Sequence, residues 1–142
     1  MREYYKPEHF LVQELVDPIT YKLLGEQALI CMDLRLLKLL DELRNFFKVP
    51  MHVNNWHTGG QLKSRGFRAP SNPVGANFSQ HHFGRAVDFD AEGMSADNVR
   101  SIIINNQYKA PFDQITAMEI NISWVHIDIR MTGNQEIKLF NP

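Results

Sequence analysis

The sequence predicts a single α+β domain, and three observations predict it. Apolar residues recur at helical spacing in the first third of the chain, glycines crowd the middle, and two later segments alternate apolar with polar residues as strands do. One domain is the default for 142 residues. A chain of that size buries roughly 70% of its unfolded surface. Residues 1–49 read as helical. Pro7 opens a first helix carrying Phe10, Leu11 and Leu15, and Pro18 interrupts it. The strongest helix covers 33–47, with Asp33 as N-cap, Leu36, Leu40, Leu43 and Phe47 at helical spacing, and Pro50 as the stop. A short strand over 51–56 then feeds a polar loop reaching about Gln80, and six of the eight glycines lie between Gly59 and Gly93. A loop of that length inside a compact domain is functional or disordered rather than a mere connection. A strand over 85–89 follows. Ser95 caps a helix bearing Val99, Ile102 and Ile103, and two strands close the chain around 115–120 and 123–131. The domain thus divides into a helical part, 1–49, and a sheet part, 50–142, with no linker, repeat or low-complexity tract.

Composition excludes several classes. Fifteen Lys and Arg against sixteen Asp and Glu give a net charge of −1, so no basic excess is available to neutralise nucleic-acid phosphates. The one cysteine, Cys31, can form neither an internal disulfide nor a thiolate zinc site, and reads as a packed residue. Any metal must therefore rest on His, Asp or Glu. No apolar run approaches the ~18 residues of a membrane span. The N-terminal segment 1–7 has no stretch of signal-peptide type, so synthesis and folding in the cytosol are expected.

Five of the six histidines lie between His52 and His126. In the stretch from Ser79 to Asp90, alternation places Ala86, Asp88 and Asp90 on one strand face, and Gly84 lets His81 fold back towards Asp88. In the stretch from Trp124 to Arg130, Val125, Ile127 and Ile129 face a core while His126, Asp128 and Arg130 face away. If the two strands are neighbours, His81, Asp88 and His126 converge, and two imidazoles with one carboxylate and an open fourth position make a catalytic zinc site. The residues alone leave a second reading open, in which these are hydrogen-bonded core or surface groups. The start of an EF-hand loop at 88–93 is rejected, because its twelfth position is Val99 rather than glutamate. The chain also contains no His-Glu-x-x-His helix and no phosphate loop.

The pattern Ser-x-His-x-x-Gly-x-Ala-x-Asp from Ser79 to Asp88, followed by Trp-Val-His-Ile-Asp from Trp124 to Asp128, resembles the zinc D-alanyl-D-alanine metallopeptidase family. Val53-Asn54-Asn55-Trp56, Gly59-Gly60, Ser64-Arg65-Gly66-Phe67-Arg68 and Met118-Glu119 are similar to its small bacteriophage and prophage members, and the likeness covers about residues 33–131. The resemblance implies the Hedgehog/D,D-peptidase fold, with N-terminal helices packed on a small, mainly antiparallel sheet. It implies one Zn²⁺ per chain on His81, Asp88 and His126. It also implies hydrolysis of an amide bond in peptidoglycan stem peptides, by a carboxypeptidase or endopeptidase serving phage lysis or wall degradation. The alternative is a catalytically inactive zinc fold serving as a structural or binding module of a phage particle, since the Hedgehog branch binds without cleaving. A small-dipeptide hydrolase of the cytosol is a third reading.

A peptidase of this kind needs a base to move a proton from water to the leaving amine. Glu119 is the candidate, a carboxylate in an apolar run, although an edge-strand glutamate facing solvent would look the same. Several family branches place the acid three positions before the last histidine, where this chain has Ser123; Glu119 stands seven before it. Asp128 is the rival, read as a residue orienting a ligand or pairing with Arg130. Arg65, 16 residues before His81, has a spacing similar to that of the family's substrate-stabilising arginine. Arg68 and Ser79 are further substrate-binding candidates. His82 is expected to point elsewhere, His57 to line the cleft, and Trp56 and Trp124 to pack beside it. No wall-binding domain is expected, so recognition falls to the cleft and the 57–80 loop, with local attraction from Lys63, Arg65 and Arg68. A monomer is expected. Without an export signal, action on the wall would follow holin-dependent release or delivery within a virion.

Overall fold

Two aspartates and two prolines shape the helical part. A computed structural model describes residues 4–142, so the first three residues of the expected helical stretch and of the N-terminal segment lie outside the described residues. Pro7 opens no helix. Asp41 accepts the Glu8 and His9 amides at 2.8 and 3.1 Å and the Tyr5 hydroxyl at 2.6 Å, which holds that segment extended across a helix further on. The first helix, α1, is the single turn Val12–Leu15. Pro18 does not interrupt a helix but begins one. Asp17 accepts the Thr20 amide at 2.9 Å as N-cap, and Pro18 fills the first position of α2, Pro18–Leu24, where a missing N–H costs nothing. A 3₁₀ stretch, Gly25–Cys31, leads to α3, Leu34–Phe47. As expected, Asp33 caps α3 through the Arg35 amide, and the helix ends at Lys48 in a left-handed conformation two residues before Pro50. Leu36, Leu37, Leu39, Leu40 and Leu43 are buried along it.

The strand expected over 51–56 is only two residues long, β1, Met51–His52. Asn54 and Asn55 end it by taking their bonds elsewhere. Asn54 donates to the Val16 carbonyl and accepts the Arg65 amide, and Asn55 accepts the Leu62 amide at 2.9 Å. The long loop is ordered by the same kind of bonding. Phe67 and Val16 form a parallel bridge, and the buried Asp17 carboxylate accepts the Ala69 amide and the Asn72 side chain at 2.8 and 2.9 Å. The loop is thereby sewn to the α1–α2 connection.

The sheet has the order β1-β2-β4-β3-β5, where β2 is Ala86–Ala91, β3 Ala117–Glu119, β4 Val125–Asp128 and β5 Lys138–Phe140. All pairs are antiparallel except β3 with β5. Helix α4, Ala96–Asn105, is capped by Ser95 as expected. The fold is thus mixed α+β. Val87, Phe89, Met118, Val125 and Ile127 are buried in one hydrophobic core with the α3 leucines and with Val99 and Ile103 of α4. Strand alternation leaves the opposite face of β2, β4 and β3 to Asp88, His126 and Glu119. No helix among the described residues is long and apolar enough to cross a membrane.

Gly84 is where core and site meet. It ends a 3₁₀ turn, Gln80–Phe83, with φ +67°, and a Cβ there would collide with the Cys31 carbonyl. Gly84→Ala therefore combines left-handed backbone strain with a backbone clash. It is expected to destabilise the fold by more than the ~1–2 kcal/mol of the strain alone, read as a drop in Tm on thermal unfolding.

Candidate metal centre

The register of three strands brings the chemistry together. On β2, Asp88 lies directly opposite His126 of β4, and Glu119 of β3 lies opposite the same histidine from the other side. His81 arrives from the 3₁₀ turn ahead of β2. Ser79 caps that turn, its Oγ accepting the His81 amide at 3.4 Å, and Gly84 reverses the chain into the strand. The result is a buried group of His81, Asp88 and His126 whose ligand atoms all lie within 4.8 Å of one another, so it could hold a metal ion.

The outer hydrogen bonds decide how the rings face. His81 Nδ1 lies 2.8 Å from the Gly66 carbonyl oxygen, which can only accept. Nδ1 therefore carries the proton, and Nε2, 3.3 Å from Asp88 Oδ2, presents its lone pair to the cluster. His126 Nε2 donates to Asp128 Oδ2 at 3.0 Å, and its Nδ1 lies 2.7 Å from Asp88 Oδ1. Both imidazoles are thus held from behind by an oxygen acceptor, the arrangement that orients metal-ligating histidines. Asp128 is fully buried and is also gripped by Arg130 through Nε at 2.8 Å and through Nη2. It holds the His126 ring from behind and pairs with Arg130.

The electrostatics suit a cation. Burial opposes charge on Asp88, but the hydrogen bond from His126 outweighs it and holds the carboxyl well below the usual range. Burial pushes His81 down, so this ring is neutral. Burial also works against a charged His126, yet the hydrogen bonds to Asp128 and Asp88 raise it to about 9. With no metal present, Asp88 and His126 form an ion pair, and a cation would replace the proton that now sits between them.

The cleft over this cluster has a volume of about 560 Å³, with Glu119, Arg68, Ser79 and Trp124 in its walls. Glu119 Oε2 lies 4.0 Å from His126 Nδ1. Of the two candidate arginines, the structure brings Arg68 to the cluster. Its Nη2 is 3.6 Å from Asp88 Oδ2, and the Ser64 and Val74 carbonyls hold the guanidinium at 2.6 and 3.2 Å. Burial lowers its pKa against the raising effect of Asp88 and Glu119. Arg65 instead pairs with Asp90 at 2.9 Å, further along β2. Ser79 combines a place in the cleft wall with its role as a cap. His82 points away as expected, its Nδ1 against the Arg68 carbonyl. Contrary to expectation, His57 packs edge-on against Trp56 rather than lining the cleft, and Trp56 packs on Tyr21 and donates to the Val16 carbonyl. Trp124 alone of the two tryptophans reaches the cleft.

Two contributors were missed from the sequence. The Gly66 carbonyl sets the His81 tautomer, and a backbone oxygen leaves no mark in a sequence pattern. Phe140 of β5 packs edge-on against His126 at 5.6 Å and under the Arg130 guanidinium at 4.6 Å. Its only signal was the short alternation from Ile137 to Phe140, which no turn motif announced. Comparison of the chain with protein-family models, with curated proteins and with solved structures gives no match.

Proposed function

We propose that the chain is a zinc-dependent peptidase of the Hedgehog/D,D-peptidase fold that hydrolyses an amide bond in peptidoglycan stem peptides. One observation carries this reading: two imidazoles, each held from behind by an oxygen acceptor, turn their remaining nitrogens onto one carboxylate at the floor of a cleft that also holds a glutamate and an arginine. His81 Nε2, Asp88 and His126 Nδ1 would hold one zinc ion per chain. When bound, zinc polarises the scissile carbonyl and makes water a better acid at neutral pH.

The chain's own groups do the rest. Glu119 takes the proton of the attacking water and returns it to the leaving amine. Arg68, already fixed by two carbonyls, donates to the oxygen that gains charge at the cleaved carbonyl or to a carboxylate of the substrate. Asp128 and Arg130 keep the His126 ring in place. Trp124 and Phe140 wall off the cleft and reduce its access to water. The same resemblance that suggested the chemistry suggests the setting, a phage or prophage protein that acts as a monomer on the wall after release or from a particle.

Digesting purified peptidoglycan with the zinc-loaded protein and identifying new termini by mass spectrometry tests the reading. One new amino terminus or released amino acid per cut, at a stem-peptide amide, is the expected result. Full zinc content with no new terminus from any wall type would overturn it in favour of the non-catalytic module.

A further inference from the structure

The cleft does not end at the metal cluster. A second lobe of about 450 Å³ adjoins it, sharing Arg68, Val74, Asp88 and Trp124 with the first. Leu62, Val74 and Trp124 give it apolar walls, and the Arg65–Asp90 pair stands in its lining. That pair is asymmetric. The Arg65 side chain is only 12% exposed, whereas that of Asp90 is 51% exposed. Every hydrogen bond that Arg65 donates from its side chain among the described residues, to Asp90 and to the His52 carbonyl, uses Nη1. Nε and Nη2 therefore remain for a second carboxylate, which an arginine fork binds through two parallel bonds. On Asp90, Oδ2 is engaged by Arg65 and Oδ1 remains free to accept from an ammonium.

We infer that this lobe is a subsite for a side chain that ends in a carbon bearing both an ammonium and a carboxylate. An open donor edge beside an open acceptor oxygen matches such a zwitterionic head, with the ligand's two charges antiparallel to the protein's. A lone ammonium leaves the open guanidinium edge unmatched, and a lone carboxylate does the same for Asp90. Asp88 and Asp90 share a strand face two residues apart, about 6–7 Å. A side chain of roughly four or five carbons spans that distance from a scissile bond at the cluster. The apolar walls suit its methylenes. A peptide carrying diaminopimelate has this side chain; one carrying lysine lacks the carboxylate. The identity of the ligand rests on the peptidase reading, but binding to the lobe can be measured without any cleavage.

The test is calorimetric titration of the zinc-loaded protein with three stem tripeptides, ending in meso-diaminopimelate, in its side-chain amide and in lysine. Cleavage of the matching full-length stem peptides is followed in parallel. The diaminopimelate peptide is expected to bind about 10- to 100-fold more tightly than either of the others, the range for one lost charged hydrogen-bond pair. Arg65→Gln should remove that preference, whereas Asp90→Asn, which faces the ammonium that all three peptides carry, should weaken the three alike, and zinc content should stay at one per chain in both. The backbone of Arg65 keeps its bonds to Asn54 and Asp88 in either case, and Asp90→Asn alters a half-exposed group, so at least one variant tests a folded protein. Equal affinity for the three peptides, a preference that survives Arg65→Gln, or affinities that Asp90→Asn leaves unchanged, overturns the subsite. A preference in binding with no cleavage of any peptide supports the subsite and sinks the peptidase reading instead.

Discussion

Replacing Glu119 with glutamine is expected to lower kcat on a stem peptide by about 10²- to 10⁴-fold, the range lost with a general base, without changing zinc content. Glutamine preserves the volume and the strand register opposite His126 and removes only the capacity to take a proton. The other carboxylates cannot substitute. Asp88 lies between His81 and His126 and is held ionised by its ion pair with His126. Asp128, the rival base from the sequence, is fully buried with Oδ2 on His126 and Oδ1 on Arg130. A group with both oxygens engaged away from the cleft cannot reach an attacking water. Steady-state kinetics beside metal analysis separates the outcomes. Retained kcat would remove Glu119 from the mechanism, and loss of zinc along with kcat would make it part of the ligand set.

The parts of this protein that were legible in its sequence are those governed by local periodicity. Alternation placed Asp88 and His126 on one face of two strands, and those strands pair with the two residues in direct register. Asp33 and Ser95 announced the starts of α3 and α4 because a cap is a contact within three residues. Pro18 was misread although its signal was equally local: Asp-Pro serves as N-cap and first helical position as readily as it ends a helix. The choice between Arg65 and Arg68 could not be made in the same way. The loop that carries them has no period, and its path is set by bonds to Asp17, Leu15 and Asn54, 11 to 55 residues away in sequence. Spacing to His81 favoured Arg65, whereas the tertiary bonds turn Arg68 to the cluster.

Zinc uptake by the metal-free chain at pH 7 is expected to release about one proton from the protein's own groups, beside any given up by zinc-bound water, and that proton alone makes apparent affinity rise about tenfold per pH unit until pH approaches 9. The sign follows from three groups. Asp88 is already ionised and His81 already neutral, so neither has a proton to give. His126, raised to about 9 by Asp128 and Asp88 against its burial, is charged at pH 7, and its Nδ1 must lose the proton to become a ligand. Titration calorimetry in two buffers of different ionisation enthalpy counts that proton. His126→Ala should abolish the release and weaken zinc by more than the 10- to 100-fold typical of losing an outer hydrogen-bond partner. Affinity independent of pH between 6 and 8, or a proton release that His126→Ala leaves unchanged, would contradict the assignment. The same shift acts oppositely on the metal-free fold. Because His126 is raised above its unfolded value of about 6.5, its contribution to stability is complete below that pH and is lost as pH rises through 9. Alkaline conditions should therefore lower the Tm of the metal-free protein while tightening its hold on zinc, so the gain in Tm on adding zinc should grow from pH 6 to pH 9.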